Sequence, residues 1–201
     1  LPEYEYAISE NSSYMHQAII YKKTLFEFIG KSEPFSENDY NFAGRPPLRL
    51  DLYRYSDSTY YSIVNLHMKC CDSGLDRRKK ASAMLYDYLL ADIDNGYSNF
   101  IVLGDWNDDL KDDFGEHCFN PFLDDDRFYF TTQKIVNDLS QASYPKKPYY
   151  SFLDHILITK KLLEQSNSDF EINTINMGNF MNGYETYEEL ISDHFPVLLS
   201  F

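Results

Sequence analysis

The sequence has 201 residues, of which 43% are hydrophobic and 25% charged, so it is long and apolar enough to form a buried core. It contains no run of 18 or more apolar residues, which excludes a transmembrane helix. Asp and Glu total 32 against 18 Lys and Arg, and the net charge of −14 argues against binding of nucleic acid through a basic surface. It does not exclude an acidic enzyme that meets phosphate through a metal ion.

The chain begins at Leu1 rather than at Met, and we expect a processed or truncated product whose targeting segment has been removed. The three cysteines, Cys70, Cys71 and Cys118, fit neither a disulfide scaffold nor a zinc-binding pattern. Their odd number leaves at least one thiol free in a monomer. The redox compartment and the localisation therefore stay open.

Four strands are predicted in the first third of the chain. The segments Gln17–Lys22 and Thr24–Ile29 are predicted to pair with each other, with Lys23 as their connection. Leu48–Arg54 alternates apolar and polar residues, as a half-buried strand does, and Tyr60–Leu66 is predicted as the next strand.

A helix is predicted next over Asp76–Asp94, because apolar residues recur there every three to four positions and Asn95-Gly96 supplies a stop signal. Asn99–Leu103 is a continuous apolar run, typical of a strand buried on both faces. Further strands are predicted at Phe152–Ile158, Phe170–Ile175 and Phe195–Phe201. This order of elements predicts a mixed α/β fold in which helices cover a sandwich of sheets.

Polar residues with catalytic chemistry lie at the ends of these apolar strands. They are His67 after the IVNL run, Asp105 and Asn107 at the end of the IVLG run, Asp154 at the start of DHILIT, and Asp193 and His194 before the last strand. Loops at strand ends converge on a rigid scaffold, and ligands commonly bind there. Each residue alone is compatible with a structural role, but four such clusters together indicate a functional site.

Six short motifs occur in order along the chain: NSSYMH at 11–16, FAGRPPL at 42–48, NLH at 65–67, GDWN at 104–107, SFLDHI at 151–156 and SDHFPV at 192–197. This set resembles the endonuclease/exonuclease/phosphatase superfamily, which has the deoxyribonuclease I-like fold. The resemblance extends from about Tyr4 to Phe201, so residues 1–201 are expected to form one domain. It implies an α/β (α+β) fold, a two-sheet, mostly antiparallel sandwich flanked by helices.

The N-terminal part departs from the pattern of that superfamily. Members usually carry a strand that ends in Asn and, after a helix, a strand that ends in Gln-Glu, whose Glu is a metal ligand. Neither strand is recognisable here, because Glu3, Glu5 and Glu10 do not follow an apolar strand. We expect a domain that is N-terminally truncated relative to the family, and a second chain or a homodimer that covers the sheet edge left open.

The resemblance and the chemistry of the side chains together predict roles for the site residues. His194 is the candidate general base, because imidazole titrates near neutral pH, and Asp154 is the carboxylate that orients it. Asp193 is the candidate ligand of Mg²⁺, or of Mn²⁺ or Ca²⁺, since hard cations prefer carboxylate oxygen. Asp105 and Asn107 are predicted to position the attacking water and a phosphate oxygen.

Three further residues are predicted to act on the phosphate. His67 is predicted to stabilise its charge or to protonate the leaving group. Tyr14 and Arg45 occupy positions that contact the phosphate in the superfamily, and a guanidinium offers forked donors to phosphate oxygens. Outside the motifs, His117 is predicted at the surface, and the acidic residues that follow GDWN are predicted to form a solvated loop; they are Asp108, Asp109, Asp112 and Asp113.

Together these features predict a divalent-metal-dependent phosphodiester hydrolase, with a nuclease as the leading interpretation. Two alternatives stay open. One is a phospholipid or inositol-phosphate hydrolase of the same superfamily. The other is a non-catalytic fragment or binding module that lacks the metal-ligand Glu. The sequence does not identify the substrate.

Overall fold

The computed structural model describes residues 2–165 and 169–201, and no helix in these residues is long and apolar enough to cross a membrane. The strands are β1 (Tyr4–Ile8), β2 (Ala18–Lys22), β3 (Phe26–Ser32), β4 (Leu48–Arg54), β5 (Thr59–His67), β6 (Phe100–Asp105), β7 (Phe128–Phe130), β8 (Asp154–Thr159), β9 (Glu171–Thr174) and β10 (Val197–Ser200). The α-helices are α1 (Leu75–Asp94), α2 (Asn120–Leu123), α3 (Lys160–Gln165) and α4 (Tyr184–Leu190).

The largest sheet has six strands in the order β3, β4, β5, β6, β8, β7. Its neighbouring strands are antiparallel except for β5 and β6, which are parallel and are connected through α1. The helix turns Ala81, Leu85 and Leu89 towards one face of the sheet, where they pack in one cluster with Val64 and Val102. The four-residue spacing of these side chains places them on one side of α1, which explains why this helix forms against the sheet.

Two small antiparallel sheets lie on the other face of the six-stranded sheet. One consists of β1 and β2, and the other of β9 and β10. Tyr21 of β2 packs with Leu50 and Leu52 of β4, while Ile172 of β9 packs with Ile158 of β8. The predicted fold class, an α/β sandwich of mostly antiparallel sheets flanked by helices, is therefore confirmed.

A groove of about 530 Å³ lies beside β2 and over the central strands. Ile20 of β2 and Phe201, which follows β10, both line it, and Ile63, Ile101 and Leu103 of the large sheet contribute apolar surface. Within the described residues, β2 pairs only with β1 and β10 only with β9, so each has one unpaired edge. Ile20 is 70% exposed, because its neighbours Ile19 and Tyr21 are the residues of β2 that pack against the large sheet. We call this surface the β2/β10 groove.

The structure corrects the predicted pairing at the start of the chain. Gln17–Lys22 and Thr24–Ile29 do not pair, because β2 pairs with β1 and β3 pairs with β4. The chain passes from the small sheet to the large sheet within residues 23–25, which contain none of the Gly or Asn that a tight hairpin turn prefers. The sequence analysis also does not predict β1, a short strand of which only Ala7 is buried.

Candidate active site

Three of the predicted site residues lie side by side across neighbouring strands. His67 at the end of β5 is opposite Asp105 at the end of β6, and Asp105 is opposite Asp154 at the start of β8. Directly opposed residues point to the same face of a sheet, so the three side chains form a row. His67 Nε2 and Asp105 Oδ2 are 3.3 Å apart. The strand register thus brings together residues that are far apart in the sequence.

The GDWN turn at the end of β6 holds Asp105 in place. A Cβ on Gly104, whose φ is +131°, would lie 2.0 Å from the Leu66 carbonyl oxygen, so only glycine allows this approach of β5. Trp106 is fully buried and anchors the turn in the aromatic core. Asn107 donates its backbone N–H to Asp105 Oδ1 at 2.8 Å and its side-chain amide to Asp105 Oδ2 at 2.9 Å. Both carboxylate oxygens are therefore oriented by the turn itself.

His194 joins this row from the loop before β10. Its Nδ1 lies 2.7 Å from Asp154 Oδ2, and the Tyr144 ring packs 5.2 Å from its imidazole. Ser143 positions both partners, because its Oγ accepts hydrogen bonds from the backbone N–H of Asp154 and of Leu153, and its carbonyl accepts the N–H of Phe195 at 2.7 Å. The sequence analysis does not predict Ser143, since no motif surrounds it and its role depends on a contact between distant loops.

Burial and neighbouring charges shift the pKa values of the residues at this site. Burial and the neighbouring Asp154 carboxylate raise the pKa of Asp105 to about 7. Burial disfavours the charged form of His194, but the hydrogen bond to Asp154 and the negative charges of Asp154, Asp105 and Asp193 together outweigh it and raise the pKa of His194 to about 9. Burial, together with the charges of Arg45 and His194, lowers the pKa of His67 to about 4. His67 is therefore neutral and His194 protonated at neutral pH.

Asp105, Asp154 and His194 are also the residues that fit a cation. Each offers one ligand atom, and these atoms lie within 4.8 Å of one another. Two carboxylate oxygens and one imidazole nitrogen are donors that a divalent cation can accept. Asp193, the ligand predicted from the sequence, is exposed and lies outside this group, and its role stays a prediction.

Arg45 is a buried cation beside the row, only 4% exposed. Its Nη2 donates to the Met68 carbonyl at 2.7 Å, its Nε has no hydrogen-bond partner, and it forms no salt bridge with any residue described in 2–165 and 169–201. Buried charges are ordinarily paired, so this one is suited to an incoming anion. Tyr14 is half-exposed, with its ring 5.0 Å from the guanidinium.

A buried ion pair supports two loops of the site. Arg78 of α1 donates from Nε and Nη2 to the Asp108 carboxylate, at 3.0 Å each, and from Nη1 to the carbonyls of Lys69 and Cys71. The prediction that the acidic residues after GDWN form a solvated loop is thus wrong for Asp108, and also for Asp109, which accepts the Phe152 N–H. The charge pattern does not reveal this, because the partner cation is thirty positions away in the sequence.

Two further histidines are structural. The prediction that His117 lies at the surface is wrong: it is buried, and its Nδ1 accepts the backbone N–H of Phe119 at 3.2 Å. His155 points to the opposite face of the sheet from Asp154, where its ring contacts Thr132 Oγ1 and the Asp108 carbonyl. Neither imidazole is therefore available to the row of site residues.

A cavity of about 410 Å³ opens next to His194. Phe195, the residue after His194, lines it, as does Tyr184, whose hydroxyl donates to the Asp193 carbonyl at 3.0 Å. Lys147 and Tyr150 contribute a cation and an aromatic ring to its opposite lining. The cavity is large enough for one nucleotide-sized group.

Comparison with solved structures places this fold among known ones. A mannosyl-6-phosphatase from Bacteroides thetaiotaomicron superposes with a TM-score of 0.64 at 18% identity, over 100% of this chain and 78% of that one. TDP2 of D. rerio, solved with a single-strand DNA product, superposes with a TM-score of 0.65 at 15% identity, over 100% of this chain and 78% of that one. An endonuclease/exonuclease/phosphatase family protein from Bacteroides thetaiotaomicron superposes with a TM-score of 0.59 at 15% identity, over 87% of this chain and 66% of that one.

These similarities define the class of fold. The chain has the endonuclease/exonuclease/phosphatase fold, so the resemblance predicted from the six motifs is confirmed at the level of the fold. A scan against protein-family models and a search of curated proteins each find no match. The roles of the individual residues remain predictions, because identities of 15–18% establish the fold alone.

Proposed function

We propose that this chain is a divalent-cation-dependent phosphodiester hydrolase that acts on nucleic acid. One observation carries the proposal: two carboxylates and two imidazoles meet at adjacent strand ends and the loop before β10, beside a buried arginine that has no acidic partner among the described residues. Such an arrangement pairs a cation site with an anion site. Both assist phosphodiester hydrolysis, since the phosphate is anionic and its transition state gains charge on oxygen.

Asp105 and Asp154 would hold the cation through carboxylate oxygens, with Asp193 as a further ligand from the adjoining loop, and His194 next to them stays free to act on a proton. Mg²⁺ or Mn²⁺ suits this donor set, and Ca²⁺ is the alternative. When bound, the ion would neutralise phosphate charge and acidify a water molecule. The arrangement also suits the net charge of −14, because a polyanion meets this acidic protein through the cation rather than through a basic surface.

The chain's own residues supply the proton transfers and the binding of phosphate. His194 acts as the general base, oriented by Asp154 through its 2.7 Å hydrogen bond. Its pKa of about 9 means that positive charge nearby has to displace its proton before it can act as a base. His67, which is neutral, accepts a hydrogen bond from the leaving group or donates one to it, and Asn107 holds the carboxylate of Asp105.

Arg45 binds a phosphate oxygen, and Tyr14 packs against its guanidinium. The cavity beside His194 takes the base or sugar next to the scissile phosphate, with Tyr150 as a stacking surface and Lys147 as a phosphate contact. TDP2 of D. rerio, which shares the fold, was solved with single-strand DNA. That is why nucleic acid is the favoured substrate class here.

A partner strand belongs to the same proposal. The unpaired edges of β2 and β10 and the apolar β2/β10 groove suit an added β-strand, which would bond to the free backbone groups and cover Ile63 and Ile101. A second copy of the chain or a separate chain would supply that strand.

A panel of substrates tests the proposed function. Single-stranded DNA, RNA, sphingomyelin and an inositol phosphate are incubated with the protein in Mg²⁺, in Mn²⁺ and in excess chelator. We expect cation-dependent cleavage of a nucleic acid. Cleavage of only sphingomyelin or the inositol phosphate would replace the substrate class. Absence of all cleavage, with the cation demonstrably bound, would support a binding module instead.

A further inference from the structure

Two neighbouring cysteines lie in the loop that follows β5. The Sγ atoms of Cys70 and Cys71 are 3.0 Å apart, with the Cys71 thiol donating to the Cys70 sulfur. Lys69 Nζ lies 3.3 Å from Cys70 Sγ. Cys71 is exposed and Cys70 half-buried, so an oxidant in solution can reach the pair.

The surroundings of this pair favour a reactive thiolate. The hydrogen bond from Cys71, followed by the nearby ammonium of Lys69, lowers the pKa of Cys70. Cys118 provides the contrast within the same chain. It is buried, and burial raises the pKa of its thiol well above the usual value. A reactive thiol next to a second thiol distinguishes Cys70 from an inert core cysteine.

The loop that carries the pair is also bonded to the candidate active site. The Met68 carbonyl accepts hydrogen bonds from Arg45 Nη2 at 2.7 Å and from Asn107 Nδ2 at 3.1 Å. The Met68 N–H donates to the Asp105 carbonyl at 2.8 Å. A change in the backbone at Cys70 and Cys71 therefore reaches the predicted phosphate contact through two residues.

We propose that Cys70 and Cys71 are a peroxide-sensitive modification site, at which a reversible disulfide between adjacent residues forms and displaces the Met68 carbonyl from Arg45. The Cys70 thiolate attacks one oxygen of the peroxide, so that an S–O bond forms and the O–O bond breaks, and the hydroxide that leaves becomes water by taking up from solvent the proton that the Cys70 thiol had released. The Cys71 sulfur then attacks the Cys70 sulfur. The S–S bond forms, the S–O bond breaks, and the hydroxide leaves as a second water with the Cys71 proton.

Geometry explains why such a bond would be labile and would move the loop. Consecutive Cα atoms are about 3.8 Å apart across a trans peptide, below the range of about 4.4–6.8 Å that disulfides ordinarily span. Cys71 already has a φ of 70°, a left-handed conformation that side chains rarely adopt. Closing the ring thus requires the 70–71 peptide to reorient, and strained, exposed disulfides are readily reduced.

The test compares the wild type with Cys71→Ser and with Cys118→Ser as the matched control. Each folded protein is treated with hydrogen peroxide and then mapped by mass spectrometry. We expect the wild type and Cys118→Ser to lose two hydrogens in the peptide that contains residues 70–71, and dithiothreitol to restore them. Cys71→Ser should instead accumulate a Cys70 sulfenic acid that dimedone traps. Oxidation of Cys118 at an equal rate, or disulfides only between molecules, would overturn the proposal.

A second readout tests the link to the site, and this part rests on the proposed function. Binding of inorganic phosphate is measured for the reduced and the oxidised wild type. We expect about a tenfold weaker affinity after oxidation, since Arg45 loses its position. An intramolecular disulfide without any change in phosphate affinity would overturn the link. Because disulfide mapping requires no catalysis, it is independent of whether the protein hydrolyses a phosphodiester.

Discussion

At the scale of single residues, the hydrogen bond between His194 and Asp154 determines the protonation of the site. A buried imidazole ordinarily has a lowered pKa, as His67 does, and His194 departs from this because Asp154 lies 2.7 Å from its Nδ1. At neutral pH, His67 is thus neutral and His194 protonated. Under the proposed function, this difference would let one move a proton while the other contributes a neutral hydrogen-bonding group.

The pKa of His194 is directly measurable. We expect the cation-free protein to show an imidazole that titrates near pH 9 by NMR, and Asp154→Asn to return it towards 6.5. Because the folded pKa is raised, this pair stabilises the protein fully below about pH 6.5, and the contribution is lost as the pH rises from about 6.5 to about 9. Added Mg²⁺, which is diamagnetic, should also lower the pKa of His194. A titration near 6.5 in both proteins would contradict the assignment.

Tyr150 and Tyr149 form a matched pair for testing the substrate cavity. Tyr150 lines the cavity, whereas Tyr149 does not and is 71% exposed. Stacking on one base contributes about 1–3 kcal/mol, so Tyr150→Ala should raise the KM for single-stranded DNA by about tenfold with a smaller effect on kcat. Tyr149→Ala should leave both constants unchanged. Equal effects of the two substitutions would exclude stacking in this cavity.

At the scale of elements, the site depends on how closely β5 and β6 approach each other at their ends. Gly104 makes that approach possible, and it also places Asp105 opposite His67. The register between β6 and β8 then places Asp154 opposite Asp105. The geometry of the row of His67, Asp105 and Asp154 is therefore a property of three strand ends.

Gly104→Ala should destabilise the fold and move the side chains of His67 and Asp105 apart. A Cβ at this position meets the Leu66 carbonyl oxygen at 2.0 Å, so we expect a loss of about 3 kcal/mol in the free energy of unfolding and loss of cation binding. Gly96→Ala is the control, because its φ is +96° but nothing lies within 4 Å of the added Cβ. It should cost only about 1 kcal/mol, measured by urea denaturation. Similar losses for both variants would show that the close approach is unimportant.

The sequence predicts the strands with strong apolar patterns and misses those without one. Leu48–Arg54 is a strand with the predicted bounds, and α1 begins one residue before its prediction. β1 and the short β7 are not predicted, because tertiary packing rather than local pattern determines them. The pairing of β2 fails for the same reason.

The site residues follow a similar rule. Asp105, Asp154 and His194 are predictable because each adjoins a recognisable strand and motif. Ser143 and the Arg78–Asp108 pair are not, because their roles arise from contacts between segments distant in the sequence. His117 is buried by aromatic neighbours such as Phe119 that no local pattern reveals.

At the scale of the whole molecule, the sandwich has one complete layer and one divided layer. The six-stranded sheet is covered by α1 on one face, but the other face carries two separate pairs of strands. Exposed apolar surface beside unpaired strand edges favours association with another chain. The β2/β10 groove is thus the surface at which we expect assembly.

Analytical ultracentrifugation of the purified chain tests this expectation. We expect a dimer, with the proposed strand of the second copy in the groove. Ile20→Lys places a charge in the groove and should dissociate it, whereas Leu190→Lys on α4, also exposed, should not. A monodisperse monomer that remains soluble would contradict assembly with a second copy, and would leave a separate chain as the occupant to be sought.

The central claim is that the protein cleaves phosphodiesters with a divalent cation held by Asp105 and Asp154 and with His194 as the general base. Its most direct test is the initial rate of hydrolysis of labelled single-stranded DNA as the Mn²⁺ concentration is raised, for the wild type and for His194→Ala. The account predicts a rate that saturates with Mn²⁺, that excess chelator abolishes, and that His194→Ala lowers by about 10²–10⁴-fold, the usual contribution of a positioned proton-transfer group. An undiminished rate in excess chelator, or in His194→Ala, would contradict it.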